Sequence, residues 1–351
     1  MKREMEVAAV PLKWVGPIRI KGSEVEGDTE VPLATYESPL WPSVDRGARV
    51  TREIGGITVV VLDQCMTRSV VVEAADAASA AGIAEAIRSR MSEMEAAAAA
   101  TSRFARLRGV HCQVVGRQLY VRFSFDTGDA AGHNMATKAA ESLLDWILRE
   151  YPALKYVSIS GNLCTDKKPS AVNGILGRGV YVIAEGLVPA RICETRLRVA
   201  PQSIVDLNMK KNWMGTALAG GLRAANAHFA NMLLAFYLAT GQDAANIVEG
   251  SQGFVTAEVQ ADGSLYFACT IPHIIVGTVG SGKDLPFVER ALERLGCRAN
   301  RPAGENRKRL AAICGAVVWC GELSLLAAQA NPGELVRAHM ALERKARAHT
   351  G

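Results

Sequence analysis

Between about residues 70 and 158 the hydrophobic pattern switches between strand and helix periods in the order β-α-β-β-α-β. Ser69-Val-Val-Val-Glu73 is β-branched and reads as a strand. Ala75 to Arg103 is alanine-rich with spaced Ile and Met, a helical pattern. Gln113 to Phe123 alternates around Gly116 as a hairpin would, Asn134 to Tyr151 is amphipathic, and Tyr156-Val-Ser-Ile-Ser160 is again strand-like. That order is the ferredoxin-like split unit. It sits mid-chain in 351 residues, a length that suits two domains, so the flanks must form the second body together. The expected fold class is α+β, a large mixed α/β domain with an inserted small ferredoxin-like one. The expected boundaries are 1–69 with 170–351 for the large domain, 70–158 for the insertion, and 159–169 for a connecting loop.

In the flanks, Thr58-Val-Val-Val-Leu62 and Val180-Tyr-Val-Ile-Ala184 read as strands, and two more flank Ala261-Asp-Gly263. Short helices are expected at 202–207 and 286–296, and longer ones at 305–329 and 333–347. The stretch Trp213 to Gln242 reads as one helix, roughly 45 Å long, and as the central spine of the large domain. Its Gly215, Gly220 and Gly221 would admit close neighbours at some cost in helix propensity. Arg223, Asn226, His228 and Asn231 within it argue against a membrane span. The N-terminus lacks the apolar core of a signal peptide.

The net charge of +5 is too mild for a nucleic-acid partner and compatible with an anionic substrate. The eight cysteines are scattered with no Cys-x-x-Cys pair, as reduced buried thiols would be. No His/Cys/Asp set has zinc spacing, so no metal is expected. There is no G-x-S-x-G nucleophile elbow either.

Asp166-Lys167-Lys168-Pro169 leaves a strand, and Pro169 disfavours helix at Lys168. A loop lysine beside an acid can stabilise an oxyanion. On these residues alone a solvated basic turn is the plainer reading. Gly277-Thr-Val-Gly-Ser-Gly-Lys283-Asp284 nearly fits a phosphate loop, but Asp284 stands where a magnesium-binding hydroxyl belongs. Its backbone N–H groups leave a turn near some other anion open. Gly128 to Met135 is a glycine-bearing turn opening a helix, either a phosphate site or a plain capping loop. His339 is a lone helical histidine, a type more often structural than catalytic.

Taken in order, these pieces resemble the hydroxymethylglutaryl-coenzyme A reductases, and specifically their class I soluble catalytic portion. The resemblance runs from about residue 8 to 347. It includes Val31-Pro-Leu-Ala-Thr-Tyr-Glu37, Cys65-Met-Thr-Arg68, Thr101-Ser-Arg-Phe-Ala-Arg-Leu107, the Gly128 turn, Ser160 to Pro169, Lys211 to Gly220, Asn226-Ala-His-Phe-Ala-Asn231, Gly241-Gln-Asp243, Gly277-Thr-Val-Gly, Gly321-Glu-Leu-Ser-Leu325 and Leu335-Val-Arg-Ala-His-Met340.

The resemblance implies reduction of the hydroxymethylglutaryl thioester by two NADPH to mevalonate and free coenzyme A, in the mevalonate (isoprenoid) pathway. It implies that Lys167 stabilises the oxyanion, Glu37 donates a proton to the aldehyde, Asp243 hydrogen-bonds between them, and His339 protonates the departing thiolate. Arg68, Ser160, Asp166, Lys168, Lys211 and Asn231 would hold the hydroxymethylglutaryl part. The cofactor would lie on the inserted domain, at Ser102, Arg103 and Phe104 and at the turn Asp129, Ala130, Ala131, Gly132, His133, Asn134 and Met135. A cationic Arg103 suits a 2′-phosphate, hence NADPH over NADH. The resemblance also implies a homo-oligomer, a dimer or tetramer, with its active site between subunits, free in the cytoplasm and with no membrane partner.

Two departures fall in turns expected near the cofactor. Ala131 and His133 replace residues that are usually Met, and Gly280-Ser-Gly-Lys283 replaces three glycines and a Thr. His133 and Lys283 either bring positive charge to a phosphate or face solvent. Two alternatives accompany the leading reading: NAD-linked mevalonate oxidation in catabolism, and a non-catalytic binder of coenzyme A thioesters.

Overall fold

The computed structural model describes residues 8–102, 104–334, 336, 337 and 340. Six strands form the large sheet in the order β2-β1-β3-β7-β9-β8. They are β1 (Leu12–Lys21), β2 (Gly27–Ala34), β3 (Ile57–Glu73), β7 (Gly179–Val188), β8 (Phe254–Val259) and β9 (Leu265–Ile274). The pair β1 and β3 is parallel and its neighbours are antiparallel.

The two β-branched runs at 58–62 and 69–73 are one strand. β3 pairs with β7 over its first half and with β5 and β6 over its second. The second half joins β4 (Arg106–Val115), β5 (Gln118–Asp126) and β6 (Lys155–Ser158) in the spatial order β4-β5-β3-β6, all antiparallel. That is the ferredoxin-like arrangement. The helical run expected at 75–103 is two helices, α2 (Ala77–Ser89) and α3 (Met91–Ala99), and α4 (His133–Glu150) follows the hairpin. α2 begins where Asp76 accepts a hydrogen bond from the Ser79 N–H, an ordinary N-cap. This smaller body has its own core of Val70, Val72, Ile87, Phe123, Phe125 and Leu143.

The expected spine at Trp213 to Gln242 is not one helix. It consists of a π-helical stretch to Gly215, one short turn, a loop, and α7 (Phe229–Ala239). Gly220 and Arg223 take positive φ. Asn226 then accepts from the Phe229 N–H, and the Glu322 carboxylate accepts from the N–H groups of Ala227 and His228. Those bonds start a helix anew at 229.

The long central helix is α9 (Glu305–Ala330), apolar on all sides and buried throughout most of its length, as a core helix must be. It is long and apolar enough to cross a membrane, yet its apolar window is packed inside the protein. Three close approaches fix it. A Cβ on Gly47 of α1 (Leu40–Glu53) would fall 2.2 Å from the Cys320 carbonyl oxygen. Gly321 faces Met232 of α7, and the Trp319 indole N–H donates to the Phe267 carbonyl of β9 at 2.9 Å. Helix α5 (Ala171–Leu176) packs on β9, α6 (Pro201–Leu207) on β8, and α8 (Pro286–Arg294) against α7.

Candidate active site

Lys167 is held in the left-handed region, φ 55°, and so are Asn162 and Thr165 in the same loop. Non-glycine residues occupy that region only when surroundings impose it. The brace is Arg178, buried at the start of β7. Its guanidinium bonds Asp166 at 2.5 Å, Glu249 at 3.3 Å and the Thr67 carbonyl at 3.1 Å. Glu249 in turn accepts the Lys167 backbone N–H at 3.2 Å. Burial raises the pKa of Glu249, which the Arg178 charge opposes. The loop is thus fixed from behind while the Lys167 side chain is left half exposed.

Lys167 Nζ meets Asp243 Oδ2 at 2.7 Å. The hydrogen bond to Asp243 raises the Lys167 pKa above its ordinary value. Burial pushes Asp243 up, but the bonds from Lys167 and from the Ala245 N–H outweigh it and hold the carboxylate low. Both groups therefore stay charged near neutrality. Asp243 follows the C-terminus of α7, on a turn tied down by Gln242. That amide accepts the Gly277 N–H at 2.9 Å and donates to the Gly277 carbonyl at 3.1 Å.

Asp243 and Lys167 open into a cleft of about 550 Å³. Arg68 and Asp166 line it, and the turn Ala130 to Met135 forms the opposite wall. That wall includes the start of α4, whose N-cap is Gly132 at φ 96° with no side-chain cap. Uncapped N–H groups at a helix start suit an anion. A Cβ added to Gly132 would fall 2.5 Å from the Thr127 hydroxyl, so the turn closes only with glycine there.

His133 projects into the cleft 3.6 Å from Asp166. Burial, then the charge of Arg178, pushes its pKa down to about 4, so it is neutral and adds no charge. Lys283 does not face solvent: its ammonium donates to the Gly241 carbonyl.

The remaining expected residues fall elsewhere. Glu37 accepts a hydrogen bond from Asn231 at 2.8 Å, at the N-terminal end of α7. Asp243 lies past the opposite end, so the length of α7, roughly 16 Å, separates the two carboxylates. Lys211 stands near Asn231's end, its pKa lowered by burial and raised in part by Glu322. Lys168 turns back to the Asp166 carbonyl at 3.1 Å, and the Ser160 backbone exchanges hydrogen bonds with the Ser158 hydroxyl. Asp129 lies behind the turn, accepting the Arg307 N–H at 3.0 Å. Ser102 accepts the Phe104 N–H at 3.1 Å, away from the cleft lining. Arg103 and His339 lie outside the described residues.

A second cleft, about 420 Å³, went unrecognised in the sequence. Arg46 and Arg49, on α1, line it together with Arg196 and Arg198. Arg46 is engaged by Glu334 at 2.5 Å and Arg196 by Glu53 at 2.6 Å. The i, i+3 spacing of Arg46 and Arg49 was the available signal. Arg178 and Glu249, the brace, left none, because a buried ion pair has no sequence periodicity.

A model of the family described as hydroxymethylglutaryl-coenzyme A reductase matches residues 6–344. The chain is 44% identical over 340 residues to a protein of Pyrococcus horikoshii named 3-hydroxy-3-methylglutaryl-coenzyme A reductase, covering 96% of this chain and 82% of that one. A Methanocaldococcus jannaschii protein of the same name is 40% identical over 354 residues, covering 98% and 85%. Among solved structures, a class II 3-hydroxy-3-methylglutaryl-CoA reductase from Streptococcus pneumoniae bound to NADPH superposes with a TM-score of 0.75 at 20% identity, over 94% of this chain and 88% of that one. At that identity the likeness shows the fold.

Proposed function

The chain belongs to the hydroxymethylglutaryl-coenzyme A reductase family, and from that premise we propose how its residues reduce 3-hydroxy-3-methylglutaryl-coenzyme A to mevalonate and free coenzyme A with two NADPH. The observation that carries the reading is the Lys167–Asp243 pair in one cleft with the uncapped α4 turn. NADPH, when bound, supplies the hydride in both reductions. The α4 start and the open turn at Gly280 fit it, since no atom lies within 4 Å of a Cβ placed there.

Lys167 stabilises charge on the thioester oxygen as the carbonyl carbon accepts hydride. Asp243 keeps that ammonium protonated and fixes its direction. Collapse of the hemithioacetal breaks the C–S bond, and His339 protonates the thiolate. Glu37 then gives a proton to the aldehyde oxygen in the second reduction. Arg68 faces the substrate's free carboxylate, and the Nε of its guanidinium is buried without a partner. The arginine cleft beyond Glu37 takes the phosphates of coenzyme A, with Arg49 and Arg198 its arginines not engaged by a carboxylate among the described residues.

Glu37 and Lys167 lie at opposite ends of α7, which supports a homo-oligomer in which a second copy brings its Glu37 to this Lys167. Met209, Trp213, Met214, Leu218 and Leu222 are exposed on the segment before α7, a patch suited to burial against another copy. We take residues 70–158 as the cofactor domain, 1–69 with 170–351 as the substrate domain, and 159–169 as their active-site connection. The location that fits is the cytoplasm.

The test is oxidation of NADPH and of NADH by purified protein with the thioester. Oxidation of NADPH in preference is the expected result. Faster NAD reduction with mevalonate would favour the catabolic direction, and thioester binding with no cofactor oxidation the non-catalytic one.

A further inference from the structure

The cleft holds a second lysine that the proposed mechanism does not use. Lys283 is 6% exposed and lines the cleft with Lys167 and Asp243. Its ammonium donates to the Gly241 carbonyl, and its own carbonyl accepts from Arg298 at 2.7 Å. No carboxylate among the described residues pairs with it, and burial, then the charge of Arg298, lowers its pKa to about 8. A buried cation bonded to a neutral carbonyl keeps an uncompensated field.

The loop that carries Lys283 binds both walls of the cleft. The Thr278 N–H donates to the Asp129 carbonyl, and Val279 pairs with Ala130. A Cβ on Gly277 would fall 2.3 Å from the Ala131 nitrogen. The same Gly277 is held on both sides of its peptide by Gln242. The cofactor turn and the Asp243 turn are therefore clasped by one segment, with Lys283 at its end.

The other charges facing this space are accounted for. Lys167 is matched by Asp243, and Asp166 by Arg178. His133 is neutral. Arg68 lies on the β3 wall, assigned above to the substrate carboxylate. Lys283 has neither an anionic partner among the described residues nor a part in holding the substrate as proposed above.

We infer that Lys283 sets the preference of this site for the reduced over the oxidised cofactor. The inference rests on the cofactor placement proposed above. Hydride must reach a carbonyl held at Lys167, so the nicotinamide lies in this cleft. The reduced ring is neutral, and loss of hydride leaves it with a positive charge. A fixed ammonium repels only the second form, so it favours release of the spent cofactor before the second reduction.

The experiment measures dissociation constants of NADPH and NADP+ for the whole protein and for Lys283→Met, which keeps volume and removes charge. In the unaltered protein NADPH binds more tightly. In the variant the ratio of the two constants falls roughly fivefold or more. An unchanged ratio overturns the inference. Should the variant not fold, the unaltered protein decides: raising pH from about 7 to about 9 discharges a lysine of this pKa and narrows the ratio, and a flat ratio overturns it. Lys167, held above its ordinary value by Asp243, stays charged across that window. If neither cofactor binds the unaltered protein, the cofactor placement itself fails, an outcome distinct from an unchanged ratio.

Discussion

Lys167 Nζ and Asp243 Oδ2 stand 2.7 Å apart although neither side chain is buried, at 40% and 47% exposure. A pair this exposed adds on the order of 1 kcal/mol or less to stability. Its charges are therefore available to chemistry at little structural cost. Lys167→Ala is expected to lower turnover by roughly a hundredfold or more, while the melting temperature barely moves. Retained turnover in a folded variant would remove Lys167 from the mechanism.

The arginine cleft gives a separable outcome. Arg49→Ala and Arg198→Ala are expected to raise KM for the thioester by roughly tenfold each, the loss of about one charge-assisted contact. Reduction of free mevaldehyde, which lacks coenzyme A phosphates, should keep its KM. Equal losses on both substrates would place the phosphates elsewhere.

Acid should destabilise the protein through three histidines held partly or wholly out of water. His133, His228 and His273 are each pushed down to about 4, burial being the first cause in every case. Their folded pKa lies below the unfolded value of about 6.5, so between those pH values the unfolded chain binds more protons. Stability therefore falls as pH drops from about 6.5 towards 4. Glu322 runs the other way: raised to about 7 by burial, it makes the folded chain hold a proton the unfolded chain has lost, so it favours folding as pH falls towards about 4.5. Thermal melts of His273→Gln should show a shallower loss on the acid side, and Glu322→Gln a steeper one. Parallel curves for all proteins would contradict both assignments.

Gly47→Ala tests the packing that supports the arginine cleft. The added methyl would meet the Cys320 backbone at 2.2 Å, and backbone cannot yield as a flexible side chain does. Destabilisation of about 1–3 kcal/mol is expected, read from denaturant midpoints. Because α1 carries Arg46 and Arg49, thioester KM should rise with it.

The small body was legible because its signals are local. The alternation around Gly116 and the helix at 134–151 each depend on residues a few positions apart, and the fold follows them. The spine was misplaced because what restarts the chain at Phe229 is Glu322, far along the sequence on α9. The apolar run at 213–242 carries no mark of that carboxylate. The site divides similarly. Asp166-Lys167-Lys168-Pro169 reads as a basic turn until Arg178 and Glu249 are seen behind it, and both are buried charges that periodicity cannot reveal. His133 and Lys283 are visible as unusual residues, but the neutrality of the first and the burial of the second are properties of the packed cleft.

The continuity of β3 has a consequence for the order in which the chain folds. Its first half pairs with β7, Cys65 opposite Gly179, so the large sheet closes only when the whole intervening segment has been brought back. An unfolded segment of that length makes closure entropically costly and slow. The small body closes over shorter separations, starting from the local β4–β5 hairpin, and can form first, returning the chain at β6 beside the second half of β3. Folding of the insertion thus delivers β7 to its partner strand. Substitutions in Phe123, Phe125 or Leu143 should then slow assembly of the large body as well as weaken the small one.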